Sequence, residues 1–168
     1  MGAPKLPETY RPVATSTVRD VVIVGGAEAA KTYSVAIILI MRALQVANRR
    51  IIIIRKHQPS LKRTCWWIIT KLLADASVPC KVHYTDMTIT FPNGSEMLFI
   101  PMVTSKGEPG ERLKSITDID DIWFEECTEL SEGEWKQAKL RHRGSKTVEI
   151  PRQRFYTCNP IGIGSWVY

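Results

Sequence analysis

A lysine and a threonine at the end of a glycine-rich turn have the spacing of a phosphate-binding loop. The segment GGAEAAKT opens with Gly25, directly after the apolar run VVIV, and closes with Lys31 and Thr32. In such loops backbone N–H groups surround the phosphates, the lysine adds positive charge, and the hydroxyl binds Mg²⁺. The predicted nucleotide-binding residues are Gly25, Gly26, Ala27, Glu28, Ala29, Ala30, Lys31 and Thr32.

One residue of this loop departs from the pattern Gly-x-x-x-x-Gly-Lys-Ser/Thr, and a second is unfavourable for phosphate binding. Ala30 occupies the position of the second glycine, and Glu28 places a carboxylate within the loop. If the backbone of Ala30 must adopt a positive φ, its β-carbon costs about 1–2 kcal/mol. Glu28 would repel a phosphate that it faced, unless it points to solvent or to a neighbouring subunit. The alternative interpretation is a plain strand-to-helix junction with an incidental lysine.

Two carboxylates follow another apolar run, about ninety residues after the loop. In DDIWFEE, Glu125 and Glu126 come at the end of a predicted buried strand. This arrangement is typical of NTP hydrolysis, in which one acid helps to hold Mg²⁺ and the next acts as general base toward water. We therefore predict Thr32 and Glu125 as metal ligands and Glu126 as the base. The alternative is a pair of solvated acids that begins an acidic loop.

These residues require a sheet that brings the strand ends together. Apolar, β-branched runs predict four buried strands, at residues 18–24, 51–54, 120–124 and 152–158. Helical patterns alternate with them, at residues 29–47, 59–76 and 131–142. Ser131 and Glu134 have the spacing of a capping box. Alternating strands and helices predict an α/β fold with a mainly parallel central sheet. Ligands bind such sheets beyond the carboxyl ends of the strands, where the loop, both glutamates and Asn159 fall.

A β-hairpin is predicted between the second helix and the acidic strand. Asn93-Gly94 separates alternating stretches at 82–91 and 95–101, and Asn-Gly is favoured in hairpin turns. A loop with two glycines and a proline, SKGEPGERLKS, follows the hairpin. The first 17 residues, rich in Pro and Thr, are predicted to form an N-terminal arm.

Composition limits the class of protein. The chain has 168 residues, of which 44% are hydrophobic and 24% charged, as in a folded domain with a core. No apolar run reaches the roughly 18 residues of a membrane span, and the N-terminus has no apolar stretch typical of a signal peptide. Four scattered cysteines, without a Cys-x-x-Cys pair, are expected to be reduced cytosolic thiols: Cys65, Cys80, Cys127 and Cys158.

Charge is distributed unevenly around a net value of +6. Seven basic residues and no acid lie between Val46 and Ala74, whereas eight acids and no base lie between Thr117 and Trp135. We predict a basic surface for a polyanion beside an acidic metal pocket, with ordinary solvated faces as the alternative. The candidates for contact with a DNA backbone are Arg55, Lys56, Lys62 and Arg63.

The ordered set of motifs resembles a known family. IIIIRKHQPSLKRT, PNGSEMLFIPM, GERLKSITDIDDIWFEECTELSEGEW and YTCNPIGIGSWVY are together similar to the ATPase domain of the bacteriophage terminase large subunit, the DNA-packaging motor of tailed phages. The similarity runs from about residue 18 to the last residue. It implies a P-loop fold of the additional-strand type over residues 18–168, which hydrolyses ATP with Mg²⁺ and moves double-stranded DNA into a procapsid.

The resemblance also implies roles for residues and partners. Thr157 and Asn159 would form the coupling motif, which senses the γ-phosphate. A ring neighbour is expected to supply an arginine finger, with Arg112 as first candidate and Arg141 and Arg143 as alternatives. The implied partners are double-stranded DNA, the portal protein, the small terminase subunit and further copies of the chain, in the host cytoplasm at the procapsid portal. No membrane partner is expected.

Two departures from the family accompany this resemblance. The family loop usually reads Gly-Gly-Arg-Gly-Ser-Gly-Lys-Ser/Thr, whereas this chain lacks the arginine and two of the glycines. An ATPase is the leading hypothesis, and a catalytically impaired DNA-binding or assembly module is the alternative; the aromatic ending WVY argues against another P-loop translocase such as a helicase. The family chain continues into an RNase H-like nuclease, while this sequence stops at Tyr168. We therefore expect no nuclease activity from this chain.

Overall fold

The computed structural model describes residues 4–26, 29–103, 112–142 and 150–159. Its strands are β1 (Asp20–Val24), β2 (Arg50–His57), β3 (Lys81–His83), β4 (Thr88–Thr90), β5 (Glu96–Val103), β6 (Asp121–Glu125) and β7 (Gln153–Cys158). Its α-helices are α1 (Arg11–Thr15), α2 (Lys31–Gln45), α3 (Gln58–Leu61), α4 (Trp67–Asp75) and α5 (Glu132–Arg141). The predicted helices and the four predicted strands are therefore confirmed, with bounds that shift by a few residues.

The strands of this part of the chain form one sheet in the order β1-β7-β6-β2-β5-β4-β3. The first five strands in this order are parallel, and β4 and β3 are antiparallel to their neighbours. The strand that follows Glu125 and Glu126 in the sequence is β7, and it lies between β1 and β6. It is the additional strand that the resemblance implies, and the predicted mainly parallel α/β sheet flanked by helices is confirmed.

The run of four isoleucines in β2 shows why the sheet is buried on both faces. Ile51 and Ile53 pack in one apolar cluster with residues of α2 and α4. Ile52 and Ile54 pack in a second cluster, with residues of α5 and of the 3₁₀ turn Cys127–Glu129. Successive side chains of a strand point to opposite faces, so a continuous apolar run is stable only where both faces are covered. The sheet is the middle layer of three.

The predicted hairpin is right in its turn and wrong in its first strand. Gly94 has a φ of 82°, and a β-carbon at this position would collide with the side chain of Asn48, so the turn requires glycine. The stretch predicted as one strand at 82–91 reverses direction and divides into β3 and β4. The reversal ends at Met87, which has a φ of 48° and is buried. The apolar-polar alternation changes phase within this turn, because the polar residues Thr85 and Asp86 are adjacent, and the prediction of one strand overlooked that change.

The segment predicted as an N-terminal arm contains a 3₁₀ turn (Glu8–Tyr10) and α1. Leu6, Tyr10 and Val13 pack against the first cluster, so this segment covers part of the core. The domain boundary at residues 17 and 18 stays a prediction. Within the described ranges, no helix has the length and apolar character needed to cross a membrane.

A buried ion-pair network joins three elements at the amino edge of the sheet. Asp121, at the start of β6, is 0% exposed and accepts hydrogen bonds from Arg42 of α2 (2.9 and 3.0 Å) and from Arg49 before β2 (2.6 and 3.0 Å). Burial by itself would raise the pKa of Asp121, but the hydrogen bonds from Arg49 and Arg42 hold this pKa below its usual value. The prediction of a basic surface is wrong for Arg49, which is 1% exposed because its charge faces this carboxylate.

Candidate functional site

The phosphate-loop candidate connects β1 to α2 at the carboxyl edge of the sheet. The backbone N–H of Gly25 donates to the carbonyl of Cys158 on β7 (3.2 Å), which fixes the start of the loop. A β-carbon at Gly25 would lie 2.9 Å from that of Ala29, so the turn is too tight for a larger residue. Ala30 has a φ of 52°, in the left-handed region that favours glycine. Ala27 and Glu28 lie outside the described residues.

The conformation of Ala30 predicts that glycine would fit better at this position. We expect Ala30→Gly to raise the free energy of unfolding by about 0.5–1 kcal/mol, because relief of the left-handed strain outweighs the greater freedom of glycine in the unfolded chain. Ala74→Gly is the matched control: Ala74 is exposed within α4, and glycine there should cost about 0.5–1 kcal/mol. Urea unfolding measures both, and a destabilised Ala30→Gly would contradict the strain argument.

Lys31 carries the buried positive charge of the site. Lys31 is the first residue of α2 and is 6% exposed. Its ammonium donates to the carbonyls of Gly25 and Gly26 and to Oδ1 of Asn159, the last at 3.0 Å. An ammonium group is a compact charge with three donors, and these contacts use all three. The loop lysine is therefore tied to the residue that follows β7.

Glu125 lies beside the loop hydroxyl at the end of β6. The hydroxyl of Thr32 donates to Oε1 of Glu125 (3.4 Å), and the glutamate is 3% exposed. Nη1 of Arg55 is 3.1 Å from Oε2, an ion-pair distance, but Oε2 accepts no hydrogen bond from the described residues. Hydroxyl and carboxylate oxygens are ligands that Mg²⁺ prefers, and one of these oxygens is buried without a donor. These residues fit a Mg²⁺ ion.

Burial shapes the ionisation of Glu125. Loss of hydration raises the pKa of this carboxyl to about 7, Arg55 opposes the rise, and the neighbouring Glu126 and Glu129 add to it. A metal ion binds the ionised carboxylate, so metal binding should release a proton and should weaken as the pH falls below about 7.

The raised pKa of Glu125 predicts a pH-dependent effect of Glu125→Gln. Between the ordinary pKa of 4.5 and about 7, the folded chain binds more protons than the unfolded chain. Its stability therefore falls as the pH rises through this window. Glutamine does not titrate, so the variant should gain about 2–3 kcal/mol relative to the natural chain between pH 5 and pH 8. Urea unfolding at both pH values measures this gain; an equal difference at both would contradict the prediction.

Glu126 stands at the turn that follows β6. Its φ is 49°, a left-handed conformation that costs a non-glycine residue energy. Nδ2 of Asn159 donates to Oε1 of Glu126 (3.4 Å), while Oδ1 of the same amide accepts from Lys31. Asn159 thus links the loop lysine to the predicted base, and the residues predicted to meet at this edge do so.

Other predicted site residues lie at varying distances from this group. The hydroxyl of Thr157 is buried and accepts a hydrogen bond from the indole of Trp123 (2.9 Å), while Thr157 itself lies beside Glu125 in the β6–β7 ladder. Of the two coupling candidates, Asn159 is the one whose side chain bonds to Lys31 and Glu126. Arg141 ends α5. Arg112 begins a 3₁₀ turn, but its side chain lies outside the described part of the chain. Arg143 also lies outside it, and their roles stay predictions.

The four DNA-contact candidates divide into two groups. Arg55 forms ion pairs with Glu125 and Glu129, and Lys56 pairs with Glu134 (3.1 Å). Lys62 and Arg63 are exposed, on a π-helical turn (Lys62–Trp66) between α3 and α4. The exposed pair is better placed to contact a polyanion, and DNA contact by all four stays a prediction.

Sequence reasoning missed Tyr10 as a neighbour of the loop. Its hydroxyl donates to the carbonyl of Ala29, 19 residues further along the chain. The tyrosine comes from the segment predicted to be a lead-in arm, and no local pattern connects it with the loop. A contact between distant segments of this kind becomes visible only in the fold.

Sequence comparisons relate this chain to phage terminases. The sequence family described as the phage terminase large subunit matches residues 18–168. The PBSX phage terminase large subunit of Bacillus subtilis (strain 168) is 29% identical over 157 residues, which cover 87% of this chain and 32% of that protein.

Solved structures share the fold. The large terminase of a thermophilic bacteriophage has a TM-score of 0.70 at 20% identity and covers 91% of this chain, which matches 37% of that protein. The same large terminase has also been solved in complex with ADP and with ATP-gamma-S. The ATPase domain of the Thermus phage P74-26 large terminase has a TM-score of 0.62 at 13% identity, with 89% of this chain and 63% of that one covered.

The chain spans about a third of the length of the PBSX protein and of the thermophilic phage protein, 32% and 37%. The match of the family to residues 18–168 nevertheless includes every strand of the described sheet. The chain therefore belongs to the phage terminase large subunit family.

Proposed function

We propose that this chain binds and hydrolyses ATP with Mg²⁺ as the ATPase domain of a phage packaging motor. The observation that carries the proposal is the cluster at the carboxyl edge of the sheet, where Asn159 contacts both Lys31 and Glu126 and where Thr32 contacts Glu125. These side chains come from α2 and from the ends of β6 and β7. A plain strand-to-helix junction would not require them to meet.

Each residue has a role that its position supports. The loop amides and the N-terminus of α2 favour a phosphate group, and the ammonium of Lys31 adds charge there. Thr32 and Glu125 would hold Mg²⁺, which neutralises charge on the phosphates when bound. Glu126 accepts a proton from the attacking water. Asn159 holds the carboxylate of Glu126 and the ammonium of Lys31 in a fixed relation.

The proposal extends to the protein of which such domains are part. Hydrolysis would drive movement of double-stranded DNA into a procapsid, with copies of the chain arranged as a ring on the portal protein and supplied with DNA by the small terminase subunit. The host cytoplasm is the compartment in which procapsids are filled. Membership of the terminase large subunit family supports this role in a packaging motor.

A second function is favoured by the loop itself. Ala30 is strained where glycine would not be, and glutamate interrupts the loop. These features would suit a catalytically impaired remnant that binds DNA or assists assembly. ATP turnover separates the two functions, since only the ATPase requires a productive loop.

The test is Mg²⁺-dependent phosphate release from ATP by the natural chain and by Lys31→Ala. We expect turnover by the natural chain and a loss of at least about 100-fold in the variant, because charge stabilisation of the phosphates is lost. Lys71→Ala is the matched control, since Lys71 forms an exposed pair with Asp75 on α4. Equal background release by all three proteins would favour the non-catalytic function.

A further inference from the structure

Arg55 is a charged residue near the end of β2 to which the proposed reaction gives no role. Its side chain is 13% exposed and contacts three elements: Glu125 of β6, Glu129 of the 3₁₀ turn and Thr64 of the π-helical turn. A guanidinium keeps its charge in proteins, so a largely buried one requires fixed partners. The partners of Arg55 are two carboxylates and one hydroxyl.

The geometry of these contacts restricts the guanidinium to one orientation. Nε and Nη2 donate to the two oxygens of Glu129 (3.3 and 3.2 Å), which is a bidentate pair. Nη1 donates to the hydroxyl of Thr64 (3.1 Å) and lies 3.1 Å from Oε2 of Glu125. Bidentate pairing fixes direction as well as distance.

Arg55 and Thr32 lie next to different oxygens of the Glu125 carboxylate. The hydroxyl of Thr32 donates to Oε1, and Arg55 forms an ion pair with Oε2 without a hydrogen bond, so the two contacts orient the carboxylate while Oε2 stays available to a metal ion. The groups that hold a metal-binding carboxylate commonly change metal affinity by about 10–100-fold when they are replaced. The same dependence is expected here.

We infer that Arg55 is a positioning residue that orients the Glu125 carboxylate for the nucleotide-bound divalent cation, and that Glu129 and Thr64 hold Arg55 in place. This inference rests on the proposed function, because it assumes that Glu125 is a metal ligand. It differs from the prediction that Arg55 contacts DNA, which requires the guanidinium to leave its carboxylate partners.

The test is direct binding of Mn²⁺, counted by electron paramagnetic resonance, in the presence of ADP. Arg55→Lys keeps the positive charge and loses the planar fork, so Mn²⁺ affinity should fall about 10–100-fold. Affinity for ADP in EDTA should stay within about twofold, because the proposed phosphate contacts come from the loop and from Lys31 rather than from Arg55. Arg50→Lys is the matched control: Arg50 lies on the same strand and pairs with Glu96 instead, so its variant should bind Mn²⁺ as the natural chain does.

A second variant guards against misfolding of the first. Glu129→Ala removes an exposed carboxylate that anchors Arg55, and Mn²⁺ affinity should fall by at least about threefold. If both variants bind Mn²⁺ as tightly as the natural chain does, the inference is overturned. It is also overturned if both lose affinity for ADP in EDTA to the same extent and have a lowered melting temperature. A natural chain that binds no ADP at all would overturn the proposed function, and this inference with it.

Discussion

Glu126→Gln should abolish steady-state ATP hydrolysis while leaving nucleotide binding nearly intact. A positioned general base contributes about 10²–10⁴-fold to such reactions, so turnover should fall by at least 100-fold. Glutamine has the same shape and can still accept the hydrogen bond that Asn159 donates, so the turn after β6 should keep its conformation. Phosphate release measures turnover, and titration with ATP-gamma-S measures binding.

The matched control for this variant is Glu132→Gln. Glu132 is an exposed acid in the first turn of α5 and pairs only with Lys136 among the described residues. Its loss should leave turnover within about twofold, because exposed ion pairs contribute little. Glu126→Gln that hydrolyses ATP as fast as the natural chain would remove Glu126 from the mechanism, even if Lys31→Ala were inactive.

Asp121→Ala should destabilise the fold severely. It leaves the guanidiniums of Arg42 and Arg49 buried, 4% and 1% exposed, without the carboxylate that both contact. Breaking a buried ion pair from one side typically costs about 3–5 kcal/mol. Since domains of this size are stable by only about 5–15 kcal/mol, this cost removes a large share of the stability and should lower the melting temperature markedly.

Urea unfolding followed by circular dichroism measures this cost. Asp75→Asn, which removes one charge of an exposed i,i+4 pair, is the control and should change stability by less than about 0.5 kcal/mol. Because the pKa of Asp121 is lowered in the folded chain, the stability that this carboxylate contributes is fully present at neutral pH. It is lost only when the pH falls below the ordinary pKa of 3.8 and then through the lower pKa of the folded chain. A cost below about 1 kcal/mol at pH 7 would show that the network is not a main support of the fold.

Local patterns in the sequence predicted the features that depend on neighbouring residues. The isoleucines of β2 require a sheet buried on both faces, and the capping box of Ser131 and Glu134 forms as its spacing predicts. Lys31 and Glu126 both contact Asn159 because parallel strands end at the same edge of the sheet, so motif order and fold class together predicted that these residues lie close together.

Interactions between distant segments could not be predicted in this way. Arg49 and Asp121 are 72 residues apart; the charge run of Arg49 suggested a basic surface, and that of Asp121 suggested an acidic metal pocket. Tyr10 contacts the loop across 19 residues. Such pairs depend on strand order and register, which a single sequence leaves open, and a buried charge differs from a solvated one only through its partner.

The buried aspartate has a mechanical consequence for the whole edge-to-edge length of the sheet. Thr32 and Arg42 are separated by ten residues of α2, about 15 Å of helix, and they contact Glu125 and Asp121, separated by four residues of β6, about 13 Å of strand. Helix and strand are therefore fastened at both ends over matching spans. A displacement of the loop would therefore move α2 and β6 together as one rigid unit and reach the amino edge of the sheet, instead of making the helix slide over the sheet.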